Sequence, residues 1–127
     1  MTVYANAESA LNSFERACGA ALADKDFAAT VNENGISLHF VCSAPGFEFF
    51  VRPDGVAAGV PCPVTLRLEL SADTAHEIFL GRLPVPQAIV AGRLVIKGPV
   101  AKVRLLAELL PVLGREYAGV VTGVRAA

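Results

Sequence analysis

The stretch VTLRLELSADTAHEIFLG, residues 64–81, changes its hydrophobic period halfway along. Val64, Leu66, Leu68 and Leu70 alternate with Thr65, Arg67 and Glu69, which makes a strand with one buried and one wet face. At Ser71 the period lengthens. Ser71 is placed as an N-cap, Asp73 sits at the positive end of the helix dipole, and Gly81 supplies the stop, so the spacing predicts a helix over 72–80. A half-wet strand running directly into a short helix argues for an α+β layer, since a doubly wound sheet buries both faces of its strands.

Toward the N-terminus the period of two recurs. Ile36, Leu38, Phe40 and Cys42 oppose Ser37, His39 and Val41; Phe47, Phe49 and Val51 oppose Glu48, Phe50 and Arg52. The turns between and after them are Ala44-Pro45-Gly46 and Pro53-Asp54-Gly55, where Pro presets φ and Gly accepts positive φ. Val56 to Val60 is a weak third strand at an edge, limited by Gly59 and by Pro61-Cys62-Pro63. Before these strands, Ala5 to Asp24 reads as an amphipathic helix capped by Asn6, with Leu11, Phe14, Cys18, Ala21 and Leu22 on one face. Lys25 to Gly35 is polar and reads as a loop.

Toward the C-terminus, Pro84 to Ala91 forms a second short helix or turn, closed by Gly92. Arg93 to Lys97 is the last strand, and Pro99 opens a helix to Leu110 with Val100, Val103, Leu106, Ala107 and Leu110 on its stripe. Pro111 halts or kinks that helix, leaving Val112 to Val124 as a short helix or docking tail. The expected architecture is α+β: a single layer of five-stranded, mostly antiparallel sheet covered on one face by helices. Its order is α-β-β-β-crossover-β-α-α-β-α.

The chain has 127 residues, the size of one domain, with a core at about 5–110 and a helical tail at 111–127. Its 54% hydrophobic and 18% charged residues exclude disorder and exceed what an ordinary small core absorbs. The surplus must line a core, an interface or a cavity for an apolar ligand. Met1–Leu80 holds four basic and ten acidic residues, net −6, and Gly81–Ala127 holds seven basic and two acidic, net +5. The total of −1 carries no general field for nucleic acid. No stretch is long and apolar enough to span a bilayer, and Met1–Ala10 lacks a secretory pattern. Cys18, Cys42 and Cys62 fit neither a disulfide framework nor a zinc knuckle, so a reducing cytoplasm is the expected location.

Catalytic chemistry is sparse. His39 lies mid-strand on the more polar face and is expected as an exposed structural residue. Asp73, His76 and Glu77 share one helix face at i, i+3 and i+4, a spacing that suits a metal but lacks a fourth ligand, so a solvated face is the expectation. No phosphate-loop, dinucleotide-binding, nucleophile-elbow or zinc-protease motif occurs. The expectation is therefore a protein that is not an enzyme, with no catalytic residues, metal or cofactor. Phe47, Phe49 and Phe50 beside Arg52 resemble a base-stacking platform, but Phe47 and Phe49 share the face that should be buried and only Phe50 points away.

From Ser71 to Leu110 the pattern resembles the sterol carrier protein type 2 family. The residues that carry it are the helix ending at Gly81, then Pro86 and Ala88, then Gly92-Arg93-Leu94-Val95-Ile96-Lys97-Gly98, then a helix with Ala101, Leu105 and Leu109. The element order from Ala5 to Leu110 agrees as well. Pro99 and Val100 replace the Asp or Asn that many relatives carry there, and the chain lacks a Ser-Lys-Leu ending.

The resemblance implies an apolar tunnel between sheet and helices that binds fatty acyl chains, sterols or isoprenoids. With the strand phases above, Phe40, Phe49, Leu66 and Leu68 are expected as its floor; Ile78, Phe79, Ile89, Leu106 and Leu110 as its roof and walls. Non-enzymatic lipid binding or transfer is the resulting function. The alternatives are an interaction or homodimerisation module whose cavity is filled, or an accessory factor holding a polyprenyl quinone intermediate for other enzymes. Arg93, Lys97, Lys102, Arg104 and Arg115 admit two readings: a cluster near the cavity mouth for transient contact with an anionic membrane surface, or side chains that merely solvate a sheet edge and helix flank.

Overall fold

Local signals decide most element boundaries. The computed structural model describes residue 4, residues 6–57 and residues 64–123. Helix α1 (Ala7–Leu22) starts where the Asn6 side chain accepts the Ser9 N–H at 2.8 Å, and it buries Ala10, Phe14, Ala17, Cys18 and Ala21. The segment read as a loop is instead helix α2 (Lys25–Glu33). Asp24 caps it by accepting from the Asp26 and Phe27 amides, and Phe27 and Val31, one turn apart, are both buried. Two buried residues suffice because α2 needs to cover only a small patch beneath α5.

Strands β1 (Leu38–Ser43), β2 (Phe47–Arg52) and β3 (Gly55–Ala57) form an antiparallel meander. The third strand ends at Ala57; the expected continuation to Val60 lies outside the described residues. Strand β4 (Leu66–Ser71) returns beside β1 in the sheet's one parallel pairing, and β5 (Leu94–Lys97) closes the order β3-β2-β1-β4-β5. Between them lie α3 (Ala72–Phe79), capped by Ser71, and the short α4 (Val85–Val90). The registers Phe40 opposite Phe49, Phe40 opposite Leu68 and Leu68 opposite Ile96 put the apolar phase of every strand on one face. Helices α1 and α3 pack against strands of the sheet, and α5 lies against both.

Gly98 ends β5 at φ +147°, and a Cβ there would lie 2.5 Å from the Thr65 carbonyl oxygen, so only glycine lets the chain pass that close to β4. Helix α5 then runs unbroken from Val100 to Gly123, through Pro111. The helix does not halt at Pro111. Proline removes one amide donor and crowds the preceding turn, but Pro111 is exposed while Leu109, Leu113 and Tyr117 are buried on the opposite stripe, and that burial keeps the chain helical on both sides of it. Val124 and the residues after it lie outside the described part. None of the described helices is long and apolar enough to cross a membrane.

Candidate functional site

The space between sheet and helices is nearly closed. A void of about 10 Å³ remains, lined by Phe40 and Leu68 from the sheet, Ile78 and Phe79 from α3, and Leu106 and Leu110 from α5, with further leucines behind them. That is room for roughly one water molecule, and an all-apolar wall leaves it dry. Among the described residues the expected tunnel is not open: Phe79, Leu106 and Leu113, each no more than 3% exposed, occupy that space.

The void shares a wall with a larger space. Ile78, Phe79, Val85 and Leu110 also line a groove of about 450 Å³ that opens at the surface between the α3–α4 connection and α5. Leu80, Leu83 and Pro84 form one bank. The other is a stripe of Ala107, Pro111, Gly114 and Ala118, one helical turn apart at each step. Small side chains make the stripe concave, and Gly114 fixes its depth: a Cβ there would lie 2.3 Å from the Phe79 carbonyl oxygen. One charged group, Arg115, stands on the rim. Its guanidinium is 3.0 Å from both Asp24 and Glu116. The Phe27 amide and this guanidinium hold the Asp24 carboxyl below the usual carboxylate range.

Six of the nine expected site residues thus meet around the void. Phe49 lies behind it, stacked on Phe40 with ring centroids 4.7 Å apart. Leu66 is buried but pairs with Leu38 away from the void. Ile89 is a correction: it is 44% exposed, because α4 turns Ala88 inward and presents its neighbour to solvent. Sequence reasoning missed the groove; its signal was the stripe of small residues on α5, which the expected halt or kink at Pro111 split in two.

Two other expectations change. His39 is 8% exposed, stacked on Phe50 at 4.2 Å, with Nε2 2.7 Å from Glu48 Oε1, so the far face of the sheet holds a buried aromatic pair in place of an exposed histidine. His76 does not solvate its helix; Nδ1 lies 2.6 Å from the hydroxyl of fully buried Tyr117, which is 2.5 Å from the Tyr4 hydroxyl. Burial, then the bond with Tyr4, raises the Tyr117 phenol above its ordinary value, and burial lowers the His76 imidazole. Of the five cations read as a docking cluster, Arg93 reaches Thr74, Lys97 pairs with Glu69, Lys102 donates to the Asn34 carbonyl, Arg104 is exposed on α5 outside the groove, and only Arg115 lines the groove.

Cys18 and Cys42 are free and buried, and burial raises both thiols, that of Cys42 to about 12; Cys62 lies outside the described residues. Among the described residues no group of His, Cys, Asp and Glu is placed to hold a metal.

No family model matches the chain. No curated protein matches it either. Solved structures do. Sterol carrier protein 2 from Yarrowia lipolytica, in its apo form, superposes with a TM-score of 0.69 at 17% identity, covering 90% of this chain and 98% of that one. The sterol carrier protein domain 2 of Helicoverpa armigera gives 0.60 at 17% identity over 88% and 87% of the two chains. A palmitated sterol carrier protein 2-like protein from Aedes aegypti gives 0.50 at 17% identity over 83% and 94%. These superpositions, over a five-stranded mixed sheet with one parallel pair and its helices, give this chain a sterol carrier protein 2 fold.

Proposed function

We propose that the chain binds an apolar lipid, without catalysing a reaction on it, in the groove between the α3–α4 connection and α5 and in the interior space behind it. One observation carries the reading: the 450 Å³ groove is separated from the interior void only by Ile78, Phe79, Val85 and Leu110. Its volume lies within the range of small-molecule sites, roughly 300–1,000 Å³. Val85 and Leu110 are partly buried aliphatic side chains, so rotating either one breaks no hydrogen bond. The palmitated Aedes aegypti protein supports an acyl chain as one ligand class; sterol and isoprenoid chains meet the same apolar wall. The dispersed cations do not form a basic patch at the mouth, so docking on an anionic membrane is not part of this reading.

The test is organic extraction and mass spectrometry of gently purified protein, together with uptake of a fluorescent acyl probe. A bound lipid, and uptake blocked by Ala107→Trp in the groove wall, are expected. An empty extract and no uptake would favour the second reading, an interaction module with a filled cavity, which the 10 Å³ void supports.

A further inference from the structure

Among the described residues, the strongly exposed large aliphatic side chains all fall between residues 89 and 100: Ile89 at 44%, Val90 at 89%, Val95 at 46% and Val100 at 71%. They flank one edge of the sheet. Among the described residues β5 pairs with β4 alone, so alternate residues turn their N–H and C=O groups outward with no described strand to receive them. Among the described residues the protection of this edge is partial. No proline interrupts Leu94–Lys97, and the Lys97 amine is drawn back over the sheet, 3.4 Å from Glu69. On the outer phase the edge reads Arg93, Val95, Lys97, an exposed aliphatic between two exposed cations.

We propose that this edge receives an extended segment of another protein as a sixth strand. The segment is acidic at the positions facing Arg93 and Lys97 and aliphatic opposite Val95. The inference stands apart from the lipid site, which lies on the other face of the sheet.

Charge and hydrogen bonding select this occupant. A bilayer offers nothing to the outward backbone groups, which are strongly disfavoured when left unpaired in hydrocarbon. A second copy pairing antiparallel about Val95 sets Arg93 against the partner's Lys97 on both flanks, and like charges directly opposite destabilise a strand pair. An acidic strand reverses the sign at both flanks while making the same backbone bonds.

The test uses the full chain, labelled with nitrogen-15, and a soluble peptide with the core Glu-Thr-Val-Thr-Glu. A peptide with Lys at both Glu positions serves as the control. The expected result is amide shifts at residues 93–98 with the acidic peptide at millimolar concentration, weakened by salt, and a dissociation constant about tenfold below that for the lysine peptide. Arg93→Glu with Lys97→Glu is expected to reverse the preference. Equal binding of the two peptides, shifts mapping elsewhere or no shift at all would overturn the proposal. Self-association through residues 93–98 without peptide would also overturn it, assigning the edge to a second copy.

Discussion

The interior divides at Phe79 into two halves of different chemistry. On one side Phe14 contacts the rings of Tyr4, Phe47, Phe49, Phe79 and Tyr117, with centroids 4.8–6.0 Å apart. On the other, Leu68, Leu70, Leu94, Leu106 and Leu113 meet around the void. Flat rings in stacked and edge-on contact leave no gap, whereas branched side chains of similar length abut at their tips. The remaining void therefore lies where aromatic residues give way to leucine, and under the proposed lipid binding the aromatic half is the rigid wall of the site.

The sharpest way to break this division is to empty each half in turn. Phe14→Ala should cost about 3–5 kcal/mol, a large fraction of a small domain's stability, because the rings around it are locked by one another and cannot collapse into the hole. Leu106→Ala should cost about 2–3 kcal/mol, the low end for a buried leucine, since its neighbours already border free space. It should also increase acyl-probe uptake. Urea denaturation measures both costs, and equal losses would show that the two halves do not differ. Leu106→Trp works in the opposite direction. It should abolish uptake for about 1–3 kcal/mol of overpacking; unchanged uptake would move the ligand out of the interior and leave it in the groove alone.

What the sequence made legible follows the same division. Strand phase and register could be read because Phe40, Leu68 and their neighbours alternate cleanly, and a register error would have turned Arg67 and Glu69 inward. The aromatic network could not be read, since Phe14 and Tyr117 lie on helices about a hundred residues apart and nothing local links them. Helix α2 was hidden because Phe27 and Val31 supply only one turn of apolar spacing; the cap at Asp24 was the missed signal. The groove was hidden for a different reason. It depends on what α5 lacks, side-chain volume at Ala107, Gly114 and Ala118, and hydrophobic periodicity records presence, not absence.

A smaller effect is expected where the aromatic half is polar. Tyr117→Phe keeps the ring and its stacking on Phe14, 4.8 Å away, and removes only the hydroxyl between Tyr4 and His76. The cost should be about 1–2 kcal/mol, from two polar partners left with poorer hydrogen bonds. Uptake by the leucine half should not change. A loss as large as that for Phe14→Ala would mean that the hydrogen-bonded chain, and not ring packing, holds the wall.

The smallest effect is a pH dependence confined to this same corner. Burial is the first cause that lowers the His76 imidazole below its ordinary value of 6.5; Arg82 acts in the same sense, while Glu77 and Asp73 oppose it. The unfolded chain therefore takes up the proton first as pH falls through 6.5, and stability declines from there until the folded protein is protonated too. Above pH 6.5 both states hold a neutral ring and the contribution is flat. Asp24 and Glu69 are held low, Asp24 by the Phe27 amide and Glu69 by Arg67, so their loss comes separately, below about pH 4. Thermal unfolding between pH 7.5 and pH 5 should thus show a shallow decline in the native chain that His76→Gln removes, with the acid decline unchanged. If the two chains run parallel across that window, His76 is protonated as readily in the folded protein as in the unfolded one, and the corner at Tyr117 is open to water.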